Sequence, residues 1–284
     1  MHSTTHRSIH LVLATTIWVA ALASTALGDT GSCGTPKQPC ILADGEYYAA
    51  VPRSEGQLPA VIWLHGYARS GKAMIQKAGY VKPFVAQGFA VIMPSGQRLG
   101  NGSELDWGVA DGYEYERDDV AFIRAVRSDA TDRFNLDPSR ILIAGFSRGG
   151  SMVWDLACKA PDLAKGYAAV AGAFWEPMHD DCAAPVHLFH THGFKDRMVP
   201  FEGREMTWKG DQLVQGSVMK GIDIWRRKNT CLGSAENSFH EDGSMQKDWK
   251  SCDSGSIRLK LTKGGHGIPN GWREDVLDWF SALD

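Results

Sequence analysis

Ser147 stands in Gly145-Phe146-Ser147-Arg148-Gly149-Gly150, directly after the run Ile141-Leu142-Ile143-Ala144 and before an amphipathic stretch. A serine hydroxyl is a weak nucleophile until a neighbouring base removes its proton, so a reactive Ser147 requires a histidine and a carboxylate elsewhere in the chain. Gly-x-Ser-x-Gly between a strand and a helix fits that role. The turn is tight enough that the positions two before and two after the serine must be small, and the helix that follows aims its first amides at a developing oxyanion. An inert glycine-rich turn and a phosphate cradle compete with this reading. The Lys-Ser or Lys-Thr pair of a P-loop and the G-x-G-x-x-G of a dinucleotide site are both missing here.

If Ser147 leads a triad on such a turn, the acid should follow it and the histidine should come last. Asp196 in "LFHTHGFKDRMVP" follows a predicted strand, and His266 in "LKLTKGGHGIPNGW" follows the last one. Both therefore fall where ligands gather, at the carboxyl ends of strands. Asp211, Asp223 and His240 are rivals, but Asp223 falls in helix-like sequence and His240 in a polar excursion away from any strand end. A second oxyanion amide besides that of Arg148 is expected from Tyr67, after the strand end His65-Gly66. His190 and His192 share one face of a strand, and without an identifiable third ligand they are read as packing residues, with no metal site. Among the tryptophans, Trp107, Trp175 and Trp272 fall beside predicted strand ends and are candidate substrate contacts.

Positioning these residues takes a sheet. Apolar runs at 60–65, 89–93, 140–144, 168–171 and 185–190 are mostly continuous, as in parallel strands covered on both faces, whereas 257–261 alternates and is expected nearer an edge. Helical periodicity falls between them at 118–134, 150–159, 216–228 and 272–283, with Asp118 or Asp119 capping the first. Asp137-Pro138-Ser139 is expected to turn into the next strand, and 46–51 to form an antiparallel hairpin with the strand at 60. Alternating strands and helices predict an α/β fold with a mostly parallel central sheet and helices on both faces.

The chain has 284 residues, 43% hydrophobic and 22% charged, enough for one large domain. A formal charge of -3 provides no basic field for nucleic acid or an anionic membrane, so neither is an expected partner. His6, Arg7 and His10 precede an apolar run from Leu11 to Leu27 that is interrupted by Thr and Ser and ends on small residues. This reads as a secretory signal over 1–28 ahead of a single catalytic domain over 29–284, with no stable membrane anchor and a secreted or periplasmic location. Six cysteines then imply disulfides, and of the 15 pairings possible, proximity points to Cys33 with Cys40, Cys158 with Cys182, and Cys231 with Cys252.

Taken together, "LHGYARSG", "ERDDVAFIRAV", "DPSRILIAGFSRGGSM", "HTHGFKDRMVP" and "GGHGIPNGW" resemble the α/β-hydrolase esterases. The likeness is to the secreted poly(3-hydroxybutyrate) depolymerase-like and feruloyl/acetylxylan esterase-like group, over 43–284. The resemblance implies Ser147 as nucleophile, Asp196 as orienting acid, His266 as general base, and Tyr67 and Arg148 as oxyanion amides. It implies no metal or organic cofactor. Two departures stand out: Arg148 where the group often has Asn, and Gly267-Ile268-Pro269 where it often has a Ser-Trp-Pro-like run. Arg148 is expected to contribute mainly its backbone, so the departures bear on acyl or alcohol preference. The sequence carries no polymer-binding module or linker, which directs the expectation to soluble hydroxyalkanoate oligomers or plant cell-wall esters, with the protein a monomer. A serine peptidase of the same fold and a non-catalytic secreted binding protein are the alternatives.

Overall fold

The computed structural model describes Met1 and residues 33–109, 115–208 and 210–283; apart from Met1 the expected leader over 1–28 lies outside them. Ser32–Asp284 is one compact unit. In chain order its elements are β1 (Cys40–Leu42), β2 (Gly45–Ala50), β3 (Leu58–Leu64), α1 (Gly71–Ile75), α2 (Ala78–Ala86), β4 (Ala90–Pro94), β5 (Gln97–Arg98), β6 (Leu105–Asp106), α3 (Asp119–Phe134) and β7 (Leu136–Phe146). There follow α4 (Arg148–Lys159), β8 (Gly166–Val170), β9 (His187–Gly193), β10 (Arg204–Trp208), β11 (Asp211–Gln215), α5 (Val218–Lys228), β12 (Glu236–Phe239), β13 (Met245–Trp249), β14 (Ser256–Thr262) and α6 (Trp272–Ser281).

The main sheet runs β1-β2-β4-β3-β7-β8-β9-β14-β13-β12. Its centre from β4 to β14 is parallel, and the two strands at either end are antiparallel. β3 is buried along its whole length because both faces are covered, and its side chains alternate between two cores. Ile62 and Leu64 join Ile123, Val126, Trp154 and Trp225 of α3, α4 and α5, while Val61 and Trp63 join Met74, Phe84, Trp272 and Val276 of α1, α2 and α6. Asp118 caps α3 through the amides of Val120 and Ala121, and Ser217 caps α5 through that of Lys220.

Two local expectations need correction. The segment at 46–51 becomes β2 but pairs with β4 rather than with the strand at 60, because β3 already has β4 and β7 on its two edges. Asp137-Pro138-Ser139 is extended at the start of β7 instead of turning, and the Asp137 carboxylate accepts from the amide and hydroxyl of Ser139. The alternating strand β14 does lie nearer an edge, as the outermost parallel strand on its side, with only the antiparallel hairpin β12–β13 beyond it. Disulfides join Cys33 to Cys40, Cys158 to Cys182 and Cys231 to Cys252.

Candidate active site

Ser147 sits between the end of β7 and the first turn of α4, with φ 57° and ψ −121°. A non-glycine residue in that region costs about 1–3 kcal/mol and persists only where its surroundings enforce it. Here its amide donates to Val170 O at 2.9 Å and its carbonyl accepts from Ser151 N at 2.9 Å. The flanking glycines are required by contact rather than by flexibility. A Cβ on Gly145 would lie 2.4 Å from Gly149 O, and one on Gly149 would lie 2.2 Å from Leu64 O.

His266 lies on the loop after β14, its Nε2 2.9 Å from Ser147 Oγ and its Nδ1 2.8 Å from Asp196 Oδ2. An ionised carboxylate can only accept, so Nδ1 carries the proton and Nε2 is left as acceptor for the serine hydroxyl. Asp196 follows β9, and its Oδ1 accepts from the amides of Met198 and Val199, each at 2.9 Å. Burial pushes the Asp196 carboxyl up, but the His266 hydrogen bond and the Val199 and Met198 amides outweigh it and hold the group below the usual carboxylate range. The two loops are fastened together. Phe194 N donates to Thr262 O and Lys195 N to Gly264 O, and a Cβ on Gly193 would meet Gly265 O at 2.4 Å.

Behind Asp196 runs a buried hydrogen-bond chain of one polarity. Trp154 Nε1–H donates to His190 Nδ1 at 3.1 Å, His190 Nε2–H to His192 Nδ1 at 3.1 Å, and His192 Nε2–H to Val199 O at 2.8 Å. Each link fixes the tautomer of the next, and burial pushes both imidazoles toward the neutral form this chain needs. The pair thereby anchors the Asp196 turn to α4.

Arg148 holds the first helical position of α4, where an amide has no intrahelical acceptor, and Gly66 of the β3 end would place a Cβ 3.4 Å from that of Ser147. The amides of Arg148 and of Tyr67, the next residue after Gly66, therefore belong to the two backbone segments that adjoin the serine. The Arg148 side chain has a role that its sequence position did not disclose. Nε and Nη2 form a two-pronged ion pair with Asp106 at 2.8 Å each, Nη2 also donates to Tyr115 Oη at 2.7 Å, and the guanidinium lies 4.7 Å over the ring of Trp175. Burial leads the causes that push the Tyr115 phenol up to about 12.

A cleft opens at Ser147 and His266. Trp175, Trp208, Met206 and Leu213 form its apolar wall, with Arg204 and Gln215 as polar lining. Of the three tryptophans singled out in the sequence, Trp175 lines it. Trp107 does not: it is 0% exposed, donates from Nε1 to His65 O at 2.8 Å, and packs on the His65 ring. Nor does Trp272, 1% exposed, whose Nε1 donates to Thr191 Oγ1 and whose ring meets Trp63 in the core under α6. Both indoles hold strand ends in place. The residues missed belong to the β10–β11 hairpin, with Trp208 edge-on to Tyr67 at 5.1 Å. Its signal was present only as the alternation Met206-Thr-Trp208 and the turn glycine Gly210, with φ +99°.

Comparison with known proteins agrees with this architecture. Residues 116–218 match the phospholipase/carboxylesterase family. The protein named Probable feruloyl esterase C of Aspergillus terreus is 26% identical over 279 residues, covering 91% of this chain and 92% of that one. NocK of Nocardia uniformis is 30% identical over 156 residues, 51% of this chain, and the chain spans less than half (42%) of that longer relative. The acetyl xylan esterase of Aspergillus awamori superposes with a TM-score of 0.63 at 16% identity, covering 86% of this chain and 98% of that one. The fold is that of the α/β-hydrolases, and the matched family and relatives are esterases of that class. These likenesses support a carboxylic ester hydrolase.

Proposed function

We propose that Ser147, His266 and Asp196 hydrolyse carboxylic esters through an acyl-enzyme. The observation that carries this reading is the unbroken line from Asp196 Oδ2 through His266 to Ser147 Oγ, with contacts of 2.8 and 2.9 Å. As Ser147 Oγ attacks the ester carbonyl, His266 Nε2 takes its proton and then delivers it to the departing alkoxide oxygen. Asp196 keeps Nδ1 protonated and stabilises the imidazolium. The carbonyl oxygen, now anionic, is met by the amides of Arg148 and Tyr67. Water then enters, loses a proton to His266 and attacks the acyl carbon. Collapse of that second adduct returns the proton to Ser147 and releases the acid.

The aromatic wall of Trp175 and Trp208 suits the apolar half of an aryl or short alkanoic ester. Relatives named for feruloyl and acetylxylan esters support plant cell-wall esters as substrates, alongside short hydroxyalkanoate oligomers. We read the enzyme as a monomer free of a membrane anchor, and the three disulfides support a path through an oxidising compartment after removal of 1–28. Among the described residues no helix is long and apolar enough to cross a membrane. Replacing Ser147 with Ala is expected to abolish turnover of methyl ferulate and of neutral alkyl esters while the thermal midpoint stays close to that of the parent, since Ala keeps the Cβ and the backbone conformation of Ser147. Undiminished turnover in the folded variant would refute the assignment.

A further inference from the structure

Two clefts meet at Ser147 and His266, and they differ in charge. The aromatic one holds Arg148, paired with Asp106, and one further cation, Arg204, whose guanidinium donates to Gln215 Oε1 and Met198 O. On the other side lies a cleft with Trp63, Met74, Tyr80 and Phe146 as its apolar lining and Arg69 and Lys77 as its charged residues. No aspartate or glutamate lines it. Arg69 and Lys77 are exposed, and neither forms an ion pair among the described residues. A third cation backs the same wall: the Arg273 guanidinium lies 4.7 Å over the Tyr80 ring and likewise makes no ion pair among the described residues. Among the acids around it, Asp106 is held by Arg148, Glu104 and Asp106 act on the Tyr67 phenol, Glu274 acts on the Arg273 guanidinium, and the Asp196 carboxylate is fully buried behind His266; none of these lines the cleft.

We propose that this second cleft is the subsite for a carboxylate-bearing half of the ester, as in a short hydroxyacid oligomer with a free acid end. The reading rests on the ester-hydrolase assignment above. The ester carbonyl sits at Ser147, the apolar half lies against Trp175 and Trp208, and the other half runs over Tyr80 and Met74 to place its carboxylate between Arg69 and Lys77. A guanidinium and an ammonium supply charge-assisted donors, and the apolar floor accommodates the alkyl segment between ester and acid. Because both cations are exposed, the preference is moderate and salt-sensitive.

The test uses the full Ser147→Ala chain, which cannot turn over its ligand, and compares by calorimetry the linear dimer of 3-hydroxybutyrate with its terminal amide. At low salt the acid is expected to bind about tenfold more tightly than the amide, and the ratio to fall toward one at about 0.5 M NaCl. The same ratio is expected to collapse when Arg69→Gln and Lys77→Gln are added. Equal affinities, a ratio that survives the two substitutions, or no binding of either compound overturns the subsite. Turnover of a neutral alkyl ester by the unmodified chain separates the two levels. Its absence beside intact acid-selective binding sinks the hydrolase reading and leaves the subsite standing, and the reverse pattern sinks the subsite alone.

Discussion

At the residue scale, Asp196 decides which nitrogen of His266 can act as a base. Its Oδ1 is committed to two amide donors, Met198 N and Val199 N. In an Asp196→Asn variant the amide oxygen remains at those donors, so the NH₂ group faces His266 Nδ1. That makes Nδ1 an acceptor, moves the ring proton to Nε2 and leaves nothing to take the serine proton. Turnover is expected to fall by about 10³- to 10⁴-fold with little change in KM. A loss below tenfold would mean that His266 is not oriented this way. The residue types and order of Ser147, Asp196 and His266 could be read in the sequence because each follows an apolar strand. The side chain of Arg148 could not, because its partners Asp106 and Tyr115 come from a polar loop that carries no periodic signal.

At the element scale, the parallel centre of the sheet was legible because continuous apolar runs have few other folded uses. Its antiparallel ends were less so. β12 is exposed along its length and β2 is a short mixed segment, so neither has an apolar pattern strong enough to name its partner strand. Trp107 and Trp272 mark a second limit, since a tryptophan beside a strand end reads alike whether its indole N–H is sealed onto His65 O and Thr191 Oγ1 or left facing a substrate. The hairpin β10–β11 supplies Trp208 and Met206 to the aromatic wall. Trp208→Ala is therefore expected to raise KM for methyl ferulate about tenfold while ethyl acetate, too small to reach the wall, changes less than about threefold. Equal effects on both esters would show that the hairpin acts on the machinery rather than on the apolar half of the substrate.

At the scale of the whole molecule, buried neutral histidines make stability depend on acid. Burial pushes His65 down to about 4, where it accepts from Gly96 N and its Nδ1–H donates to Gly66 O. In the unfolded chain this imidazole titrates near its ordinary value of 6.5. Between those values the unfolded state binds the extra proton, so stability rises with pH. The contribution is fully present above 6.5 and is lost as pH falls toward 4, amounting to about 3 kcal/mol across the window. His190 and His192 act in the same direction. Urea midpoints measured from pH 7 to 4 are expected to fall steeply, and less steeply in His65→Gln; identical slopes would remove His65 from this account.

The central claim is that Ser147 accepts the acyl group from the ester. It is tested most directly by exposing the folded chain to a fluorophosphonate probe and locating the adduct by peptide mass spectrometry. One probe per chain on Ser147 is expected, with labelling slowed at least about a hundredfold in His266→Ala, because the hydroxyl then has no base. Loss of esterase activity with the adduct on another residue, or full activity with Ser147 labelled, would contradict it.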